Sequence, residues 1–240
     1  MTNLEIIGEI ALLTLNNPPD NSLQQPEFIG QSVLHDYLQN NSPKALIIRG
    51  TGRHFSAGAD LASIRQLSND GKLAELLNKG KSLLQYIYNM NIPVIAAIEG
   101  VCFGGGLEIA LHCHIRVVSE KTLMAFPESM HKLMPGLSGN NILREYLTMG
   151  KSIEMILSNR IVNAEDAIKE GLADYCCSPK QTFDFALNLA KKMTDGRSHE
   201  VINSIMTAIK NAYVLSPQQA MEEETKLFCQ LAKNMSNNDN

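Results

Sequence analysis

The chain has 240 residues with 21 basic and 25 acidic side chains, a net charge of −4. A chain this long can bury roughly 70–75% of its unfolded surface, so it needs no disulfides to hold a core. A composition of 44% hydrophobic and 19% charged residues excludes a disordered chain, and the lack of basic excess and of tryptophan argues against nucleic-acid binding.

In chain order, Leu4–Leu15 reads as two short strands around Gly8, and NNPPDNS (16–22) breaks the chain with Pro and Asn. Val33, Leu34, Tyr37 and Leu38 fall at helical spacing within 28–40. ALIIRG (45–50) and IPVIAAIEG (92–100) are apolar runs closed by Gly, as expected of strands buried on both faces. Between them lie the loop TGRHFSAGAD and a helix over 73–90. VCFGGG reads as a loop entering the helix LEIALHC, followed by strands in IRVVSE and LMAFPE. From residue 140 onward the pattern is helical: 142–149, 153–158, 164–170, 183–194, 199–211 and 217–233, with SNNDN as a frayed polar tail. Strands alternating with helices, then helices alone, give an α/β class with a helical appendix. The expected division is a core over 1–190 and a helical region over 191–240.

Cys102, Cys113, Cys176, Cys177 and Cys229 are odd in number and lack framework spacing. They read as reduced thiols of a cytoplasmic protein. The N-terminal stretch carries no positive segment and is interrupted by Glu5 and Glu9, so it does not read as a signal peptide. No run reaches the ~18–20 apolar residues of a membrane span.

Two loops share one layout, a buried strand, a Gly-rich turn and a helix: RHFSAGAD (53–60) and VCFGGGLE (101–108). Such turns expose backbone N–H groups at the positive end of a helix dipole. Neither carries a P-loop Lys-Ser/Thr or a G-x-G-x-x-G pattern. Spacing alone fits an oxyanion hole and tight strand–helix packing equally. Glu108 and Glu128, each in apolar company, add a paired acid–base reading, in which proximity and desolvation hold one carboxyl protonated near neutral pH.

FSAGAD, then IPVIAAIEGVCFGGGLEIAL, then FPE with PG eight residues beyond its Glu, resemble the enoyl-CoA hydratase/isomerase (crotonase) family. SIEMILSNRIVNAEDAIKEGLAD is similar to the helical region of that family. The resemblance implies a spiral of ββα units with a C-terminal helical trimerisation region, assembled as a homotrimer or hexamer. It implies oxyanion N–H donors at Ala59 and Gly105 and catalytic glutamates at Glu108 and Glu128. Gly136 is implied to help hold the reacting water, and Ala57, Gly58, Asp60 and Leu61 to line the substrate loop. The implied reaction adds water to an enoyl thioester, with Glu108 as base and Glu128 as acid. No resident cofactor and no metal is implied, because coenzyme A or phosphopantetheine belongs to the substrate.

Some features depart from the family pattern. Asp20 stands near a position that is commonly basic, the usual C-terminal extension with its Lys does not follow, and the GGTQ-like stretch reads SGNN (138–141). These weaken the expected grip on the nucleotide of coenzyme A and raise an acyl-carrier-protein thioester as the alternative, with Arg53, Lys132 and Lys226 left as phosphate partners. A Δ3,Δ2-enoyl isomerase needs only Glu128, so it is the rival within the family. A non-catalytic or RNA-binding relative is disfavoured, since 28–41 contains no Lys or Arg. His112 and His114 point to different helix faces and read as structural, as does His54 beside the first loop. His131, three residues after Glu128, is a candidate to approach the substrate.

Overall fold

The computed structural model describes residues 2–238. The strands are β1 (Thr2–Ile7), β2 (Ile10–Leu15), β3 (Ala45–Gly50), β4 (Val94–Ile98), β5 (Val101–Phe103), β6 (Ile115–Ser119), β7 (Leu123–Ala125), β8 (Val162–Asn163) and β9 (Tyr175–Cys177). The helices of the first half are α1 (Gln31–Asn41), α2 (Leu61–Asn69), α3 (Leu73–Tyr88) and α4 (Gly105–His112). They are followed by α5 (Gly139–Ile142), α6 (Met149–Leu157), α7 (Ala164–Glu170), α8 (Thr182–Thr194), α9 (His199–Val214) and α10 (Pro217–Asn238).

The main sheet runs β1-β2-β3-β4-β6-β9, antiparallel between β1 and β2 and parallel thereafter. A smaller sheet, β5-β7-β8, turns away from it, and the chain crosses from one to the other directly after β4. Side chains alternate between strand faces, and both faces of the main sheet are covered. Leu13, Leu46, Ile48, Ala96 and Ile98 join the core beneath α3 and α4, with Leu83, Leu84 and Leu107. Leu12, Ala45, Ile47, Ile95 and Ala97 face the other way, onto Ala186 and Ala190 of α8. Those two alanines are fully buried, letting α8 lie close on the sheet. Helices α9 and α10 pack mainly on each other. No helix among the described residues is long and apolar enough to cross a membrane.

Differences from the sequence reading fall in short or exposed elements. The three-residue strand β5 lies inside the Gly-rich run read as loop, and β8 and β9 have two and three residues. Helix α2 has nine residues and buries none of them fully, and it starts because the Asp60 carboxylate accepts from Ser63 N–H at 2.6 Å. The run 142–149 is broken into α5 and a 3₁₀ turn at Leu143–Glu145. Helix α10 extends to Asn238, and the last two residues of the polar tail lie outside the described residues.

Candidate active site

The first Gly-rich loop is tied to the segment after β2. Ala57 N–H donates to Asp20 O (2.9 Å), Leu23 N–H to Gly58 O (2.7 Å) and Asp60 N–H to Leu23 O (2.9 Å). With Gly58 O and Asp60 N–H both turned toward Leu23, the Ala59 N–H points to the opposite side. Ser56 Oγ donates to Asn21 O (2.7 Å) and accepts from Gly58 N–H (3.1 Å), which fixes the loop from within. Gly58 has φ 92°, and a Cβ there would stand 2.8 Å from Phe103 O and 3.4 Å from Gly105 N. Only glycine permits that backbone and lets the two Gly-rich loops abut.

Gly105 is the first residue of α4, so its N–H has no intrahelical acceptor. Ala59 N lies 3.9 Å from the point a Cβ on Gly105 would occupy. Neither N–H meets an acceptor among the described residues. The structure therefore brings the two sequence-predicted donors to one gap between the loops.

Glu108 follows three residues later on α4 and is buried. Its Oε1 accepts from Leu137 N–H and from Gly139 N–H, each at 2.6 Å, and nothing among the described residues bonds Oε2. Glu128 opens a 3₁₀ turn, Glu128–His131, and its Oε2 is buried without a partner. Gly104 has φ 49°, and a Cβ there would stand 2.8 Å from Glu128 Oε1, so the carboxyl rests against the backbone that enters α4.

Burial pushes both carboxyls up, Glu108 to about 8 and Glu128 to about 7. The Glu128 charge raises Glu108 further, while the Gly139 and Leu137 amides and Lys81 oppose the rise. Both carboxyls are therefore held toward the protonated form near neutral pH, Glu108 the more strongly. The two N–H donors on one oxygen favour the ionised form of Glu108 without outweighing its burial. An unpartnered buried oxygen disfavours ionisation of Glu128.

Gly136 lies against α3, where a Cβ on it would meet Leu77 Cδ2 at 3.1 Å. The amides that reach Glu108 belong to the residues after it, Leu137 and Gly139, which the sequence reading does not single out. Backbone donors leave no side-chain signature, and the PGLSG run was the one available signal. Asp60 caps α2, and Leu61 is its first residue.

The remaining sequence candidates serve the frame. His54 Nδ1 accepts from Val101 N–H (3.1 Å), shaping the loop. His112 Nδ1–H donates to Glu108 O (2.7 Å), and His114 bridges Val94 N–H and Tyr88 O. Burial lowers both rings toward the neutral form. His131 and Lys132 are exposed, Asp20 accepts from Ser22 N–H (3.2 Å), and Lys226 pairs with Glu223 at 2.6 Å. Arg53 borders a second cavity of about 690 Å³, which it shares with Arg49, Lys121 and Lys180.

Known proteins carry the same arrangement of chain. A probable enoyl-CoA hydratase of Bacillus subtilis is 31% identical over 221 residues, 91% of this chain and 85% of the relative. Pseudomonas aeruginosa DspI is 32% identical, with a TM-score of 0.82 over 96% of this chain and 94% of that structure. An enoyl-CoA hydratase from Polaromonas sp. JS666, 24% identical, shares the fold with a TM-score of 0.88 over 95% of this chain and 90% of its own. The crotonase fold expected from the motifs is thus the fold of this chain. The family described as enoyl-CoA hydratase/isomerase matches residues 5–238, nearly the whole chain, and together with the 31% identity this places the protein in the enoyl-CoA hydratase/isomerase family.

Proposed function

We propose that this site adds water across the double bond of an α,β-unsaturated acyl thioester. The observation that carries the reading is the buried Glu108 and the half-buried Glu128, whose Oε2 is enclosed, with two backbone N–H groups that meet no acceptor among the described residues. Ala59 N–H and Gly105 N–H receive the thioester oxygen and stabilise the negative charge that develops on it. Glu108 Oε2 takes a proton from water while the water oxygen bonds to Cβ, and the double-bond electrons move into the enolate. Glu128 then delivers its proton to Cα, the enolate electrons form that C–H bond, and a 3-hydroxyacyl thioester results. The proton gained by Glu108 returns to Glu128 through solvent, so the cycle closes without a resident cofactor. Gly136 and the loop from Ala57 to Leu61 flank the reacting end of the thioester.

Coenzyme A is the preferred carrier, in keeping with the names of the relatives. We further propose assembly as a homotrimer through α9 and α10, which expose Ile205, Ile209, Tyr213, Met221 and Phe228. The test incubates purified protein with crotonyl-CoA, with 3-enoyl-CoA and with the crotonyl group on an acyl carrier protein. Water incorporation into crotonyl-CoA is expected. Double-bond migration in the 3-enoyl substrate without hydration overturns the hydratase reading in favour of isomerisation, and preference for the carrier protein overturns coenzyme A.

A further inference from the structure

Ser138 separates the two amides that hold Glu108, and its backbone is left-handed, with φ 82° and ψ 15°. Non-glycine residues are uncommon in this region, and when found they are held there by their surroundings. Its side chain makes no capping bond to α5, so the hydroxyl does not select the conformation. The segment is pinned instead on both sides. A Cβ on Gly80 of α3 would stand 2.6 Å from Leu137 Cδ2, so the Leu137 side chain is seated directly on that helix. Asn140 Nδ2 donates to Pro135 O (3.1 Å), and the Asn141 and Ile142 amides both donate to Ser138 O at 2.9 Å.

A left-handed residue within such a turn rotates its flanking peptide planes so that their N–H groups converge on one anion. Here the anion is the protein's own carboxylate. We propose that Ser138 is a positioning residue: its left-handed backbone aims the Leu137 and Gly139 N–H groups at one oxygen of Glu108 and leaves the other oxygen to the reacting water. Without that rotation the two amides could not both reach Oε1, and the carboxylate would lose its orientation and two donors to its charged form. The other groups acting on Glu108 are Glu128, which opposes its ionisation, and Lys81, which favours it, while neutral His112 engages only the Glu108 carbonyl. None of these depends on residue 138.

The proposal rests on hydration as the activity of the site, and its test separates the two. Ser138→Gly retains the left-handed backbone, whereas β-branching makes Ser138→Thr and Ser138→Val resist it. Expected is a parental rate and pH profile for Ser138→Gly. Ser138→Thr and Ser138→Val are expected to show a loss of kcat reaching on the order of 10²-fold, with KM unchanged. The acid limb of kcat against pH moves up by about one to two pH units in Ser138→Val, as two charge-assisted bonds are lost. Where Ser138→Val fails to fold, Ser138→Thr gives the reading.

An independent readout titrates the carboxyl ¹³C signal of Glu108 in unliganded protein, identified by its disappearance in Glu108→Gln. That titration moves to higher pH in the Thr and Val variants and stays parental in Ser138→Gly. Absence of hydration in the parent with these movements intact overturns the functional reading alone. Superimposable titrations of all variants, or loss of rate in Ser138→Gly, overturn the positioning role.

Discussion

In the proposed hydration, Glu108 is buried yet has to be ionised to take a proton from water. Burial raises it to about 8, and the Leu137 and Gly139 amides are the counterweight. Glu108→Gln keeps an oxygen for those amides but cannot accept the proton, so it is expected to lower kcat on the order of 10²–10⁴-fold with the fold intact. The same substitution carries a stability signature. A carboxyl whose folded value lies near 8 instead of 4.5 favours the folded state at low pH, and that contribution is lost as pH rises through this window. The advantage of Glu108→Gln in Tm over the parent is therefore expected to grow between about pH 5 and 8, in thermal melts across a pH series. A constant difference would contradict the buried, raised state of Glu108. Gly104→Ala tests Glu128 in the same way. It places a methyl where Glu128 Oε1 stands, on a backbone at φ 49°, and is expected to cost activity through displacement of that carboxyl. Restoration of the rate by a further Glu128→Asp change, measured as kcat, would support the displacement.

At the scale of elements, the site depends on how β6 and its neighbours are fastened. Arg116, the second residue of β6, is almost wholly buried, stacking on Tyr146 at 4.5 Å. It donates to Cys113 O (2.7 Å), Leu172 O (2.9 Å), Tyr146 Oη (3.1 Å) and Asp174 Oδ2 (3.0 Å). One guanidinium thus joins the end of α4, the turn after α7 and the 3₁₀ segment beyond α5. Arg116→Met removes this donor from the Cys113 and Leu172 carbonyls, while Asp174 keeps the backbone N–H of residue 116, and is expected to destabilise the fold by about 2–4 kcal/mol in denaturant unfolding. On the opposite face of the sheet, Ala190 of α8 has no free space. Ala190→Leu is expected to cost about 1–3 kcal/mol by overpacking, with little effect on the active site, which lies on the α4 side. Long buried strands and helices such as β3, β4, α3 and α8 were legible from apolar runs and periodicity. Strand β8, helix α2 and the break after α5 were not, because short pairings and an exposed helix depend on neighbours rather than on their own pattern.

For the whole molecule, the exposed apolar side chains of α9 and α10 are the largest departure from an ordinary surface. Under the proposed trimer, Ile209→Asp together with Phe228→Asp is expected to shift sedimentation from trimer toward monomer while leaving the far-ultraviolet circular dichroism unchanged. An unchanged sedimentation coefficient would remove these faces from the interface. Sequence by itself determined the class of fold and the residues of chemical interest, because buried strands, Gly-rich turns and carboxylates in apolar runs are properties of residue type and spacing. Only the tertiary structure decided that Ala59 and Gly105 share one gap, that Glu128 rests against Gly104, and that Leu137 and Gly139 hold Glu108. Those relations are between backbone groups distant in the chain, and a backbone N–H is the same in every residue but proline until folding aims it.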